Sequence, residues 1–275
     1  MNKIVVILLS SLAFFSCKKE EFNIVNLNGN SITAMGHGGM GITGNYPLNS
    51  YESVLNCLNL GMDGAEIDIQ MTQDSVLVLF HDKDLSERTN LSGFINSMNW
   101  SELKTTNYIS SPYQDYSIVS LDDLFNQISD LQNFKFTLDC KHYSENKNKS
   151  QLYQTYINAI EKILVKHKIE SHVYIESQEV EFLTALKTQK PKYHLFIYPP
   201  TFESGLKTAI KLGLTGISID TKKISQAEIQ QAHENNLWVA IWGVKSKSDN
   251  IEAINKNPDI IQTDKAKHLI KLLKQ

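Results

Sequence analysis

The sequence reads as an α/β protein, a closed (β/α)8 barrel with a small insertion after its second strand. Three observations predict this. The chain has 275 residues, 41% of them hydrophobic, enough for the single core of a barrel of about 250 residues. Past residue 30, eight short apolar runs alternate with stretches of helical periodicity, the pattern of a parallel sheet covered by helices. No Walker-type loop is present to favour an open nucleotide-binding sheet.

The elements follow in order. Lys3 precedes an apolar run from Ile4 to Phe15, then Ser16-Cys17. That run is shorter than the roughly 20 residues a membrane-spanning helix needs. A charged start, an apolar centre and a small residue before the cut make residues 1–16 a secretory signal. A Cys directly after the small residue resembles a bacterial lipoprotein signal, although Phe14 stands where Leu is usual. The expectation is an exported protein with a lipid on Cys17, held at the membrane on the periplasmic or cell-surface side. A polar tether beginning Lys18-Lys19-Glu20-Glu21 would run to residue 30. The alternative is an ordinary cleaved export signal.

The barrel takes up residues 31–275. Strands are predicted at Ile32–His37, Gly64–Gln70, Lys135–Lys141, Val173–Glu176, His194–Tyr198, Gly216–Asp220, Trp238–Trp242 and Ile260–Thr263. Amphipathic stretches lie between them at Ser50–Leu60, Lys149–His167, Val180–Thr188, Phe202–Leu212, Ser225–Asn235 and Lys247–Asn255, with a last helix over Lys265–Lys274. Ile157, Ile160, Ile163 and Leu164 show the helical spacing. Gly61, Gly213 and Asn236 fit helix C-caps. Val76–Phe80 is an additional apolar run, and residues 82–118 carry no long helical pattern. That stretch is the insertion, placed to cover part of the barrel mouth.

Charge narrows the function. Lys and Arg total 27 against 30 Asp and Glu, a net of −3, with the signs mixed along the chain. That is no nucleic-acid footprint, which needs clustered cations. Arg88 is the only arginine, so an anion site must rely on Lys, backbone N–H groups or a metal. Besides Cys17, only Cys57 and Cys140 are present, with no CxxC pair to suggest zinc or redox work. Both read as buried small hydrophobes, and nothing supports a disulfide between them.

Barrel chemistry sits at the C-terminal ends of the strands, and alternation decides which side chains face inward. Ala65, Ile67 and Ile69 share one face of the second strand, and Glu66 and Asp68 the other. The same reasoning brings His37, Asp139, Lys141 and Trp242 to the rim. Charges inside a barrel must be paired or hold a cation. Oxygen ligands suit Ca2+ or Mg2+ over zinc. The bland alternative, a salt-bridge network around Lys141, accounts for Asp139 and leaves Glu66 and Asp68 without a role. His81 closes the Val76–Phe80 run, and Asp82 beside it can fix the imidazole tautomer. Two histidines flanking a metal-bound phosphate suit acid–base cleavage of a P–O bond. Asp74 reads as a turn former, Arg88 equally as loop anchor or substrate contact. Trp242 reads as an apolar wall against the substrate or as barrel filling, and His142, beyond Lys141, as solvated.

At these residues the chain resembles the glycerophosphodiester phosphodiesterase family. Glu66-Ile67-Asp68, Asp74 and His81-Asp82 keep the spacing of its E-x-D, D and H-D motifs. Leu85–Asn90, Trp100–Lys104, Thr137-Leu138-Asp139-Cys140-Lys141, Val239–Val244 and Pro258–Asp264 resemble later segments. Coverage runs from about Thr33 to the C-terminus. The resemblance implies a TIM barrel with the metal on Glu66, Asp68 and Asp139, and with His37 and His81 catalytic. The reaction implied is hydrolysis of a glycerophosphodiester to glycerol 3-phosphate and an alcohol. Departures lie in the first motif. The family's Arg after the first His is Gly38 here, Pro47-Leu48-Asn49-Ser50 replaces P-E-N-T, and Asp139 stands where Glu is commoner. The lost Arg would grip phosphate in a bidentate fork that Lys cannot copy. Lys141 and the metal would supply charge instead, and backbone N–H groups around Gly38 could receive an oxyanion. On that view Gly38→Arg should raise activity. Two other readings stay open: a non-enzymatic barrel that binds a glycerophospho ligand or a surface partner, and a related phospholipase or lyase that forms a cyclic phosphate.

Overall fold

A computed structural model describes residues 21–42, 45–145 and 148–274. The expected signal peptide and lipid anchor at Cys17 lie outside the described residues. The strands are β1 (Thr33–His37), β2 (Gly64–Met71), β3 (Leu77–Leu79), β4 (Val119–Ser120), β5 (Lys135–Cys140), β6 (Val173–Ser177), β7 (His194–Ile197), β8 (Gly216–Asp220), β9 (Trp238–Val244) and β10 (Ile260–Thr263). Eight of them form a parallel ring in the order β1-β2-β5-β6-β7-β8-β9-β10, closed because β1 pairs with both β2 and β10. The protein is thus a (β/α)8 barrel. The short strands β3 and β4 run antiparallel off the far end of β2 and carry the insertion.

Helices Tyr51–Asn59, Lys149–His167, Val180–Gln189, Phe202–Leu212, Gln226–Glu234, Lys247–Asn255 and Ala266–Leu273 fall where the periodicity predicts them. Their ends follow from local chemistry. Ser225 with Glu228 and Ser246 with Asp249 make reciprocal capping boxes. Gly213 closes its helix at φ +60°, a conformation that costs glycine little. One helix is not predicted, Leu121–Gln127, which completes the crossover from β2 to β5. Its seven residues carry two adjacent aspartates and too few turns for periodicity to show, and only the Ser120 side chain accepting from the Asp123 N–H marks its start.

Alternation along each strand separates three environments. Outward residues such as Ile67, Ile69, Leu138, Ile175, Ile217 and Ile241 bury themselves under the helices. Inward residues at the N-terminal end form an apolar plug of Met35, Tyr174, Phe196, Ala240 and Ile260, with Trp238 against it. Inward residues one or two steps later are polar and face the other mouth. The insertion has its own small core of Val78, Phe80, Leu85, Ile95, Leu103, Tyr108 and Ile118.

The predicted tether extends too far. Residues 26–28 are fastened across the N-terminal mouth, where Asn26 Nδ2 donates to Pro258 O at 2.8 Å. The Leu27 and Asn28 N–H groups donate to Asp259 Oδ1 at 2.9 and 3.0 Å. Cys57 and Cys140 are free and buried, as their apolar settings predict.

Candidate active site

Register builds the site. Asp68 on β2 is paired with Asp139 on β5, and Asp139 with Glu176 on β6, so three carboxylates stand side by side at one level of the ring. Glu66 lies one inward step below Asp68 and is paired with His37 on β1. Glu66, Asp68, Asp139 and Glu176 are all buried. Single carboxylate oxygens of Glu66, Asp68 and Asp139 lie within 4.8 Å of one another. Oxygens that share a Ca2+ ion sit about 2.3–2.6 Å from it, which limits their separation to about 5 Å. The three acids named from sequence therefore fit one hard cation.

The electrostatics point the same way. Burial, reinforced by the charge of Asp68, raises the Glu66 pKa well above its usual value. Burial, then the neighbouring Asp139, lifts Glu176 to about 8. Asp139 is raised by burial against the opposing pull of Lys141. Asp68 alone shifts down, because Lys141, His81, His37 and the Asn49 hydrogen bond outweigh its burial. The Lys141 ammonium touches Asp139 and lies 3.0 Å from Asp68 Oδ1, so it reaches further than the Asp139 pairing expected of it. One ammonium cannot pair with four buried carboxylates at once, so the acids either keep protons or share a divalent cation. Asn49 fixes Asp68 from both sides: its Nδ2 donates to Oδ2 at 2.8 Å and its Oδ1 accepts from the Asp68 N–H at 2.9 Å.

His37 and His81 line one cavity of about 180 Å³ together with the acids, Lys141 and Trp242. Each imidazole is oriented through Nδ1 by a carboxylate, His81 by Asp82 at 2.8 Å and His37 by Asp264 at 2.7 Å. A carboxylate at Nδ1 leaves Nε2 to face the cavity. Burial opposes a charged His37, but the Asp264 hydrogen bond and the charges of Glu66, Asp264 and Asp68 prevail and raise its pKa to about 9. Asp264 is a functional residue the sequence reading missed. Its signal was present, since it follows the last strand, which a closed barrel sets beside the first, but the sequence does not show its carboxylate reaching the His37 ring. Glu176, at the end of β6, stands beside Asp139, with Gln262 Nε2 donating to it at 3.2 Å.

Other residues need correction or confirmation. The Gly38 N–H is not free for an oxyanion, because it donates to Glu66 Oε2 at 3.0 Å. The neighbouring Gly39 and Met40 amides are likewise taken, by Gly36 O and Ser53 Oγ. Gly38 sits at φ +53°, and a Cβ there would lie 2.8 Å from Leu48 Cβ. The two departures from the family motif are therefore in contact, and Gly38→Arg alone would strain the backbone and collide with Leu48. Restoring the Arg also requires a change at Leu48. His142 is not solvated: it packs at 4.3–5.2 Å from the rings of Phe182, Tyr156 and Tyr153, and burial drives its pKa down to about 3. Trp242 stacks edge-on with Tyr198 at 5.0 Å on the cavity wall. Asp74 shapes its turn, accepting from Thr72 Oγ1 and the Trp100 N–H. Arg88 anchors Asp82 through Nε at 2.7 Å.

Comparison with known proteins agrees with this geometry. A glycerophosphodiester phosphodiesterase of Caldanaerobacter subterraneus is 24% identical over 235 residues, 84% of this chain and 94% of the relative. One from Bacillus altitudinis is 30% identical over 105 residues, a match covering 37% of this chain and 43% of that protein's length. Among solved structures, an Oleispira antarctica phosphodiesterase in complex with the product sn-glycerol-3-phosphate superposes with a TM-score of 0.78 at 19% identity, covering 90% of this chain and 98% of that one. Residues 40–268 match the model of the glycerophosphoryl diester phosphodiesterase family, and the chain belongs to that family.

Proposed function

We propose that this chain hydrolyses glycerophosphodiesters to glycerol 3-phosphate and an alcohol with the help of a divalent cation. The observation that carries the reading is the pair of carboxylate-oriented histidines lining the same cavity as a buried, undercompensated acidic triad. Family membership supports it, as does the product recorded in the Oleispira antarctica structure.

Glu66, Asp68 and Asp139 would hold the ion, either Ca2+ or Mg2+, with Asn49 keeping the Asp68 carboxylate in place. Once bound, the ion would orient the phosphate and stabilise the charge that develops on its oxygens. His37 and His81 divide the proton work through Nε2. One removes the proton of the attacking water, or of the neighbouring glycerol hydroxyl whose cyclic diester water then opens, and the other protonates the leaving oxygen, each typically contributing roughly 10²–10⁴ in rate. Asp264 and Asp82 hold the tautomers that this exchange requires. With the motif arginine absent, charge on the phosphate comes from Lys141, displaced from its carboxylates, and from Lys245, which also lines the cavity and forms no ion pair among the described residues. Trp242 and Tyr198 offer the glycerol half a wall. Export and lipidation at Cys17 would put this activity on the outer side of a membrane.

The test is release of glycerol 3-phosphate from glycerophosphodiesters by the purified mature protein, with Ca2+, with Mg2+ and with a chelator. Turnover that requires an ion and drops by roughly 10²-fold or more in His81→Ala is the expected result. Absence of turnover with either ion would leave the non-enzymatic binding reading. A cyclic phosphate as the final product would favour the lyase reading.

A further inference from the structure

A second cavity, of about 210 Å³, adjoins the catalytic one and shares His81 and Ile42 with it. Its apolar and aromatic walls are Ile42, Tyr46, Leu48, Phe80, Tyr108 and Tyr113, and Asn49, His81, Asp82, Arg88 and Ser110 line it as well. Two features separate it from an incidental crevice. Its apolar wall is built partly by the motif departure: Leu48 occupies the place of an acid, and its side chain packs where any Gly38 side chain would stand. Its rim is also apolar where solvent would favour polar residues. Ile42, on the lining, is 59% exposed. Tyr46 and Tyr113 both pack edge-on against Tyr116 at 6.3 Å, forming an aromatic fence. The only fixed charges on the lining, Asp82 and Arg88, neutralise each other in a 2.7 Å pair.

We infer that this cavity takes the alcohol half of the substrate, and that the alcohol it fits is apolar, an alkyl or aryl group. The inference rests on the hydrolase reading for its chemistry but on the cavity for its specificity. A diester bound across the catalytic site has two halves. The glycerol half needs hydroxyl partners, and the side of the catalytic cavity lined by Tyr198, Gln262 and Lys245 supplies them. The other half extends past His81 into walls more apolar than polar, where Asn49 is engaged with Asp68 and Asp82 with Arg88 and His81. A quaternary ammonium group would find ring faces there but no net negative charge, because Arg88 occupies Asp82. A sugar or inositol would exchange most of the hydrogen bonds water gave its hydroxyls for apolar contact. An alkyl chain loses nothing and gains roughly fourfold in affinity for each methylene fully buried.

Binding and turnover test this separately. Calorimetric titration of the full mature chain, in the presence of Mg2+, compares ethyl phosphate, octyl phosphate and phosphocholine. The cavity predicts that octyl phosphate binds at least tenfold more tightly than either of the others. The preference should fall by several-fold in Tyr113→Ser and in Leu48→Gln, two partly exposed positions where a folding defect is not expected. Equal binding of the three, tighter binding of phosphocholine, or an octyl preference unchanged in both variants would overturn the assignment. In parallel, glycerophospho-ethanol and glycerophospho-octanol are offered as substrates. If neither is cleaved while the octyl preference stands, the hydrolase reading fails and the cavity assignment survives. If both are cleaved at the same kcat/KM and bind alike, the hydrolase reading survives and the cavity assignment fails.

Discussion

The two mouths of the barrel bury the same kind of side chain and use it in opposite ways. At the N-terminal mouth Asp259 is fully buried, and every lone pair it has is answered. Oδ1 accepts from the Leu27 and Asn28 N–H groups, and Oδ2 from the Val239 N–H at 2.7 Å and from His233 at 2.9 Å. That carboxylate sews the N-terminal segment, β9 and the Gln226–Glu234 helix together. At the C-terminal mouth, Glu66, Asp68, Asp139 and Glu176 are as deeply buried, yet they crowd one another. A carboxylate satisfied by donors on all sides holds a fold. Carboxylates that crowd one another suit a shared cation.

The largest expected effect breaks this contrast at both ends. Glu66→Gln and Asp68→Asn should each lower kcat/KM by roughly 10³-fold, the several kcal/mol of charge stabilisation attributed to a bound ion. In chelator, the melting temperature of Glu66→Gln should stay level or rise, because repulsion is relieved, whereas Asp68→Asn, which loses the Lys141 ion pair, should melt lower. Asp259→Ala should do the reverse. It strips four donors of their partner and should cost about 2–4 kcal/mol of stability, read by denaturant unfolding. The kcat of the folded fraction should be unchanged.

Next comes the orientation of His37. Asp264→Asn should reduce kcat by roughly 10²-fold, since the wrong tautomer is then favoured. It should also move the pH limb belonging to His37 below its position near 9, because the hydrogen bond and charge that raise the pKa are lost. A KM effect with an unshifted profile would show that Asp264 only supports the loop.

Stability against pH sharpens the comparison further. Glu176 keeps its proton in the fold up to about pH 8, while the unfolded chain releases it near 4.5. Between those values the folded state binds more protons, so stability in chelator should decline as pH rises. Glu66, raised in the same direction, adds to the slope. Saturating divalent ion should flatten it, and thermal melts across pH 5–8 read both curves. The smallest effect concerns phosphate. Lys245→Ala should raise KM for diesters several-fold with little change in kcat, and a silent variant would leave Lys141 as the cation that serves the phosphate.

Much of this was legible in one dimension because barrel strands alternate. Period-two runs placed Glu66 with Asp68 and Asp139 with Lys141 on inward faces, and their bounds agree with the observed strands to within a residue or two. What escaped were side-chain contacts. Asp264 reaches His37 only because β10 closes against β1. Gly38 and Leu48, ten positions apart, are one packing event, so a reading that treats each loss separately expects an Arg to fit where it cannot. His142 looked solvated because the residues after a strand usually are, and the aromatic rings that bury it come from two later helices.

The central claim is that the acidic cluster exists for a divalent ion. Isothermal titration of Ca2+ or Mg2+ into chelator-stripped mature protein tests it most directly. One ion bound per chain, with binding abolished in Glu66→Gln and in Asp68→Asn and retained in Asp259→Ala, is the result the account predicts. No binding of either ion, or undiminished binding by the Glu66 and Asp68 variants, would contradict it.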